Sequence, residues 1–307
     1  MALLQSEPIL KPGFDTFFAM GFGTGNDGAV DFDGASTILT LVPSGGVYTL
    51  TRDIFPTSMV IRSGVEVRCQ GFVPYVMGRL TIDSGGVLCC KANNAVGSIA
   101  GATLSAIGSL STTAAAGGTG RNTTGAGAGG AGAGSNNITG RGSGAGGAAN
   151  AQAGGNGNTT VAPTAANGSP YEFGAFLRKR LMGTNTFNGS GGGGAGGCDL
   201  SLGGTGDSGG GGSGCPVLMF ACRELANSGV IHADGGNGGN AIGTGNGVAG
   251  GGGGGSPGAI IAVVGRVLLE GTIRAVAGVG GTGFGTGSVS GANGTGTGTL
   301  YKFYGNT

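Results

Sequence analysis

The chain has 307 residues, 79 of them glycine, with 15 Lys and Arg against 14 Asp and Glu and a formal net charge of +1. Charged residues make up 9 %, against about 25 % in ordinary soluble domains, while hydrophobic residues reach 38 % and gather into short Val, Ile and Leu runs that read as buried strands. This balance excludes disorder driven by charge repulsion, and it offers no basic stripe to neutralise phosphates, so nucleic acid is not expected as a partner.

Residues 1–46 carry Phe14, Phe17, Phe18, Phe22 and Phe32 ahead of any repeat. This part is read as an attachment or oligomerisation segment, with Phe14, Phe17, Phe18 and Phe22 as assembly contacts. Met1 to Pro12 shows neither a basic start with an apolar stretch nor a small-residue cleavage site, so no signal peptide is expected. From 47 to 110 the pattern becomes period-two apolar alternation broken by Ser-Gly and Gly-Gly, the mark of short strands joined by tight turns. Ser63-Gly64 and Ser84-Gly85 each precede alternating apolar positions, which predicts a repeated strand-turn-strand unit and the first part of a strand ladder.

Residues 111–214 form a glycine-rich insertion, and Ser111 to Pro170 contains no acidic residue. Two physical states fit it. It can be a flexible linker whose ordering entropy no burial offsets. Alternatively, glycines without Cβ can let extended, polyproline-II-like strands approach and hydrogen-bond to several neighbours, as only glycine can at the collagen axis. A strict Gly-X-Y period is absent, which excludes a collagen triple helix. The island 169–187 places Tyr171, Phe173, Phe176 and Phe187 beside Arg178, Lys179 and Arg180. It reads either as a short capping helix starting at Ser169-Pro170 or as a contact patch for a receptor or partner subunit.

Residues 215–307 resume the ladder. "RELANSGVIHADGGNGG" from Arg223 and "RVLLEGTIRAVAGVGG" from Arg266 align with one single-residue gap, pairing Arg223 with Arg266, Leu225 with Leu268, and Ile231 with Ile273. Arg79, Ser84 and Gly85 fit the first copy at one constant offset. Pro216 to Cys222 and Ala259 to Val264 read as strands covered on both faces, and are too short for the roughly 20 residues of a membrane helix. The fold expected is all-β, with little helix: a β-solenoid-like ladder of stacked short strands, each unit buried against its neighbours, together with glycine-rich extended strands.

Chemistry is sparse in this pattern. Cys69, Cys89, Cys90, Cys198, Cys215 and Cys222 lack zinc spacing and read as buried free thiols. "GDSGG" around Ser208 matches a serine-protease nucleophile loop, but His232, the one histidine, lies downstream with no accompanying signature, and the match reads as chance. His232 and Asp234 are expected on the solvated face of a strand. Asp27, Asp31 and Asp33 lack EF-hand spacing and read as a solvated turn. No nucleotide-binding loop occurs. No catalytic residue, cofactor or metal is expected.

The stretch "TLTRDIFPTSMVIRSGVEVRCQGFVPYVMGRLTIDSGGVL", followed by long Gly/Ala tracts and then "GVIHADGGNGG" and "GTIRAVAGVGG", resembles glycine-rich tail-fibre and receptor-binding adhesin proteins of tailed bacteriophages over about residues 47 to 285. The resemblance implies a virion protein, with no enzymatic activity, that displays loops toward a host-cell glycan or protein. It also implies attachment to other tail or baseplate proteins and a homotrimer; the patch at Tyr171, Phe173, Phe176, Arg178, Lys179 and Arg180 is the candidate contact with a receptor or a partner subunit. A capsid decoration, head-fibre or tail scaffold role is the structural alternative. A depolymerase spike would need paired carboxylates, and the acids here are few and scattered.

Overall fold

The computed structural model describes residues 22–110, 112–114, 116–120, 122–123, 196, 198–199, 205–245, 248–285, 288, 290–294, 298 and 300–304. Its strands are β1 (Ala29–Phe32), β2 (Val47–Thr49), β3 (Ser58–Ile61), β4 (Glu66–Arg68), β5 (Tyr75–Ile82), β6 (Val87–Cys89), β7 (Leu104–Ile107), β8 (Thr112–Ala114) and β9 (Asn122–Thr123). They continue with β10 (Cys198–Asp199), β11 (Thr205–Asp207), β12 (Leu218–Asn227), β13 (Val230–His232), β14 (Ile242–Thr244), β15 (Val248–Ala249), β16 (Ile260–Leu269), β17 (Thr272–Arg274) and β18 (Leu300–Tyr304). No helix occurs among the described residues.

Two parallel sheets organise most of these strands. The first is six-stranded in the order β1-β3-β5-β12-β16-β18, and the second is five-stranded in the order β17-β13-β6-β4-β2. Each first-sheet strand from β3 to β16 passes through a short turn into a second-sheet strand, and the next such pair stacks in parallel on the last. Ser63-Gly64 and Ser84-Gly85 make two of these turns. Gly64 and Gly85 sit at φ +76° and +83°, a region that L side chains enter at a cost of about 1 kcal/mol. Strand pairing begins at β1, inside the range read as an attachment segment, where Ala29 to Phe32 pair with Ser58 to Ile61.

The repeat alignment changes in detail. Arg266 lies beside Glu224, not Arg223, and Leu225 lies beside Val267, while Ala226 pairs with Leu269 across a bulge at Leu268. Charge favours this register, because Glu224 stands between Arg79 at 2.8 Å and Arg266 at 2.9 Å, where the sequence alignment would have set arginine against arginine. The offset to the earlier copy is likewise not constant. Leu225 pairs with Leu80 and Ile231 with Leu88, because the turn Asp83 to Gly86 is longer than the turn Ser228 to Gly229. From Val230 onward the alignment holds, with Ile231 beside Ile273.

Side-chain alternation divides the core. Leu218, Phe220, Cys222 and Leu225 of β12 enter one cluster with Phe32, Met59, Ile61, Leu80, Ile82, Leu88 and Ile231. The opposite face of the same strand sends Met219 and Ala221 into a second cluster with Phe22, Val73, Leu110 and Ile261. Both faces of Leu218 to Cys222 and Ile260 to Val264 are therefore covered, as their unbroken apolar sequence predicts. Cys69, Cys89, Cys90, Cys215 and Cys222 are buried thiols, and burial pushes the Cys90 thiol up to about 11.

A different order governs the glycine-rich segments. Gly210 N–H donates to Gly97 O, Gly239 to Gly210, Gly252 to Gly239, Gly281 to Gly252 and Gly291 to Gly281, at 2.7–3.0 Å. Three residues along every segment except the first, where Asn93 lies four from Gly97, a second row runs from Ser213 to Asn93, Gly236 to Ser213, Gly255 to Gly236, Gly278 to Gly255 and Gly294 to Gly278. Residue number rises between the two rows in one segment and falls in the next, so adjacent segments are antiparallel. A Cβ on Gly252 would stand 1.9 Å from Gly210 O, and one on Gly281 would stand 1.9 Å from Gly239 O. The segment from Ser208 to Val217 is buried throughout. These described segments are packed together by hydrogen bonds every third residue. Residues 124–195 lie outside the described residues.

Candidate binding surface

The outer face of the second sheet gathers a row of polar side chains. Register aligns Thr49, Arg68, Cys89, His232 and Arg274 across β2, β4, β6, β13 and β17, with Val47, Glu66, Val87, Val230 and Thr272 in the adjoining row. The opposite face of these strands sends Tyr48, Val67, Leu88 and Ile231 into the core, so period two fixes which residues face out.

Two carboxylates anchor this face. Glu66 lies 2.5 Å from Arg68 and 3.3 Å from Lys91. Its partial burial disfavours the charge, but the two cations outweigh that and hold its carboxyl below the usual range. Asp234 accepts the Val276 N–H and lies 3.2 Å from His232 Nδ1 and 3.0 Å from Arg274. Burial again works against the charge, and these partners bring its carboxyl below the usual range. His232 is thus not a simply solvated residue: its side chain is 18 % exposed and held beside Asp234.

At the β2 end of this face lies a shallow groove of about 500 Å³. Thr40, Ser44, Thr49 and Thr51 supply hydroxyls, Leu41, Val42 and Val47 supply apolar surface, and Arg68 supplies a cation. Leu39 and Thr40, which form the turn closing the Ile38–Leu41 bridge, take φ +50° and +69°. Two successive non-glycine residues there store strain of about 1–3 kcal/mol each. Hydroxyls that both donate and accept, beside exposed Val42 and a cation, suit a polyhydroxylated ligand. The alternation Val47-Thr49-Thr51 is a partial sign of this groove in the sequence, but the loop from Thr40 to Ser44 carries no pattern.

The other residues singled out from the sequence separate. Phe22 is 4 % exposed and packs in the second core cluster. Phe14, Phe17, Phe18, Tyr171, Phe173, Phe176, Arg178, Lys179 and Arg180 lie outside the described residues. Asp27 pairs with Arg52, Asp31 with Arg62, and Asp33 accepts hydrogen bonds from Ser36 and Tyr48, so the three carboxylates diverge. Among the described residues no group of His, Cys, Asp or Glu is placed to hold a metal ion. Ser208 is fully buried, and Gly209 and Gly210 beside it bond to Gly250 and Gly97, so "GDSGG" is part of the glycine packing.

No protein-family model matches the chain, and neither curated proteins nor solved structures give a match. Among the described residues no helix is long and apolar enough to cross a membrane.

Proposed function

We propose that this chain is a structural virion protein, a phage tail-fibre or adhesin component that holds a binding face toward a host-cell surface glycan or protein. In this reading the stacked parallel sheets are successive turns of a β-solenoid, and the glycine segments are polyproline-II-like strands with three residues per turn. The observation that carries it is the packing of glycine on backbone oxygen, with added Cβ positions 1.9–2.2 Å from carbonyl oxygens at Gly239, Gly252, Gly255, Gly278 and Gly281. Such packing makes a stiff support from residues with almost no side chain, which suits a displayed surface better than a catalytic cleft. Its acids support the same reading: Asp27, Asp31, Glu66, Glu224, Asp234 and Glu270 are all committed to ion pairs.

Attachment to other tail proteins and a homotrimeric assembly belong to the same proposal. Multiple copies would turn weak groove contacts into firm attachment. The test is competition: purified protein added to host cells should block adsorption of the particle that carries it. Val42→Glu combined with Thr49→Trp in the groove should abolish the block while leaving the circular dichroism spectrum unchanged, since Val42 is 74 % exposed. Full blocking by that variant removes the groove from the proposal, and failure of the wild-type protein to block at any concentration removes the adhesin role.

A further inference from the structure

The glycine packing puts a chemically labile dipeptide on the solvent side of the molecule. Asn237 and Asn293 are exposed, and each is followed by glycine. In an Asn-Gly pair the glycine nitrogen reaches the asparagine Cγ with no side chain in its way. In the folded protein both reacting groups are already engaged. Asn237 Oδ1 accepts the Val279 N–H at 2.9 Å, while Gly238 N–H donates to Val279 O at 2.9 Å. Asn293 Oδ1 accepts the Gly280 N–H at 2.9 Å, while Gly294 N–H donates to Gly278 O at 2.8 Å. Asp234-Gly235 is clasped in the same way on Val276, at 2.9 Å in both directions.

We propose that Asn237-Gly238 and Asn293-Gly294 are self-modification sites that the fold holds shut and that fire when the glycine strands separate. In the reaction the Gly238 nitrogen gives up its proton and bonds to Asn237 Cγ. The bond between Cγ and the amide nitrogen Nδ2 breaks, ammonia leaves, and a succinimide remains. Water then opens either imide carbonyl, giving aspartate or isoaspartate with no change of oxidation state. Closure over the clasp blocks the first step twice, because the nitrogen is turned to Val279 O and the side-chain amide is fixed by the Val279 N–H.

Packing explains why the labile pair stands there. A Cβ at Gly238 would lie 2.0 Å from Gly252 O, and one at Gly294 would lie 2.2 Å from Gly255 O, so no other residue fits after the asparagine. The asparagine is needed in turn, because its Oδ1 satisfies an N–H of the neighbouring strand. Isoaspartate inserts an extra methylene into the backbone and breaks the three-residue repeat. A strand that has opened long enough to react therefore cannot close in its old register.

The test is peptide mapping by mass spectrometry after incubating the purified protein in mildly alkaline buffer, native and in denaturant. Deamidation at Asn237 and Asn293 is expected to be about 30-fold slower in the native state, each of the two hydrogen bonds of a clasp contributing roughly a factor of five. Val279→Pro deletes the N–H that fixes Asn237 and keeps a φ that extended strands accept, so it should speed reaction at Asn237 more than at Asn293. Equal native and denatured rates in the wild-type protein would overturn the proposal, as would a folded Val279→Pro variant with an unchanged Asn237 rate. Should that variant unfold, the wild-type comparison decides alone.

Discussion

The paired sheets and the glycine array solve one problem, satisfying buried backbone, in opposite ways. In the sheets, β5, β12 and β16 run parallel, and side chains such as Leu80, Phe220 and Val264 fill the space between layers. In the array, neighbouring segments run antiparallel, bond every third residue, and approach until no Cβ fits. Side chains stabilise the first region by burial, whereas the second is stabilised by hydrogen bonds and close backbone contact. Removing a side chain should therefore injure the sheets, and adding one should injure the array.

The largest effect is expected from adding a methyl group. Gly252→Ala places its Cβ 1.9 Å from Gly210 O, backbone that cannot move without breaking its own bonds. A loss of about 4–5 kcal/mol or failure to fold should appear in chemical denaturation. The same substitution at Gly64, with nothing within 4 Å, should cost only about 1 kcal/mol through its positive φ. Deletion in the sheets comes next: Phe220→Ala, fully buried, should cost about 3–4 kcal/mol by the same measurement.

Alkaline pH should then affect the sheets and the edge of the array together. Burial raises the pKa values of Cys69, Cys89, Cys90, Cys215 and Cys222 in the folded state, so above about pH 9 the unfolded state loses protons that the folded state keeps. The stability these thiols contribute is complete below pH 9 and is lost as pH rises from there, which a series of thermal melts would show. The acid limb has the opposite sign. Glu66 and Asp234 titrate lower when folded, so their contribution is present above about pH 4.5 and fades as pH falls further. Smallest is Glu224→Gln, which breaks the Arg79–Glu224–Arg266 row at the solvent face. Its cost should be minor and should vanish in high salt.

The same contrast governs what could be read before the fold was known. Leu218 to Cys222 and Ile260 to Val264 were legible as doubly covered strands because their side chains record burial on both faces. Ser63-Gly64 and Ser84-Gly85 were legible as turns because the backbone there requires glycine. The register between Arg266 and Glu224 was not, since matching Arg223 to Arg266 by residue type sets the strands one residue away from the offset that Leu218–Ile260 and Val230–Thr272 share. Partners within the array were hidden for a deeper reason: glycine, with no side chain, cannot encode which neighbour it meets. One signal does survive, the spacing by three of Asp234, Asn237 and Asn240, whose side chains accept the N–H groups of Val276, Val279 and Thr282. The candidate groove was half visible, since Thr49 and Thr51 follow strand alternation while the Leu39-Thr40 turn takes a conformation that its residue types do not announce.

Residue-resolved hydrogen exchange tests the central claim most directly. If glycine strands are packed as firmly as the sheets, the amides of Gly210, Gly239, Gly252 and Gly281 should exchange as slowly as those of Phe220 and Ala262 in β12 and β16. Exchange of those four glycines at the rate of a free peptide, with β12 and β16 still protected, would contradict it.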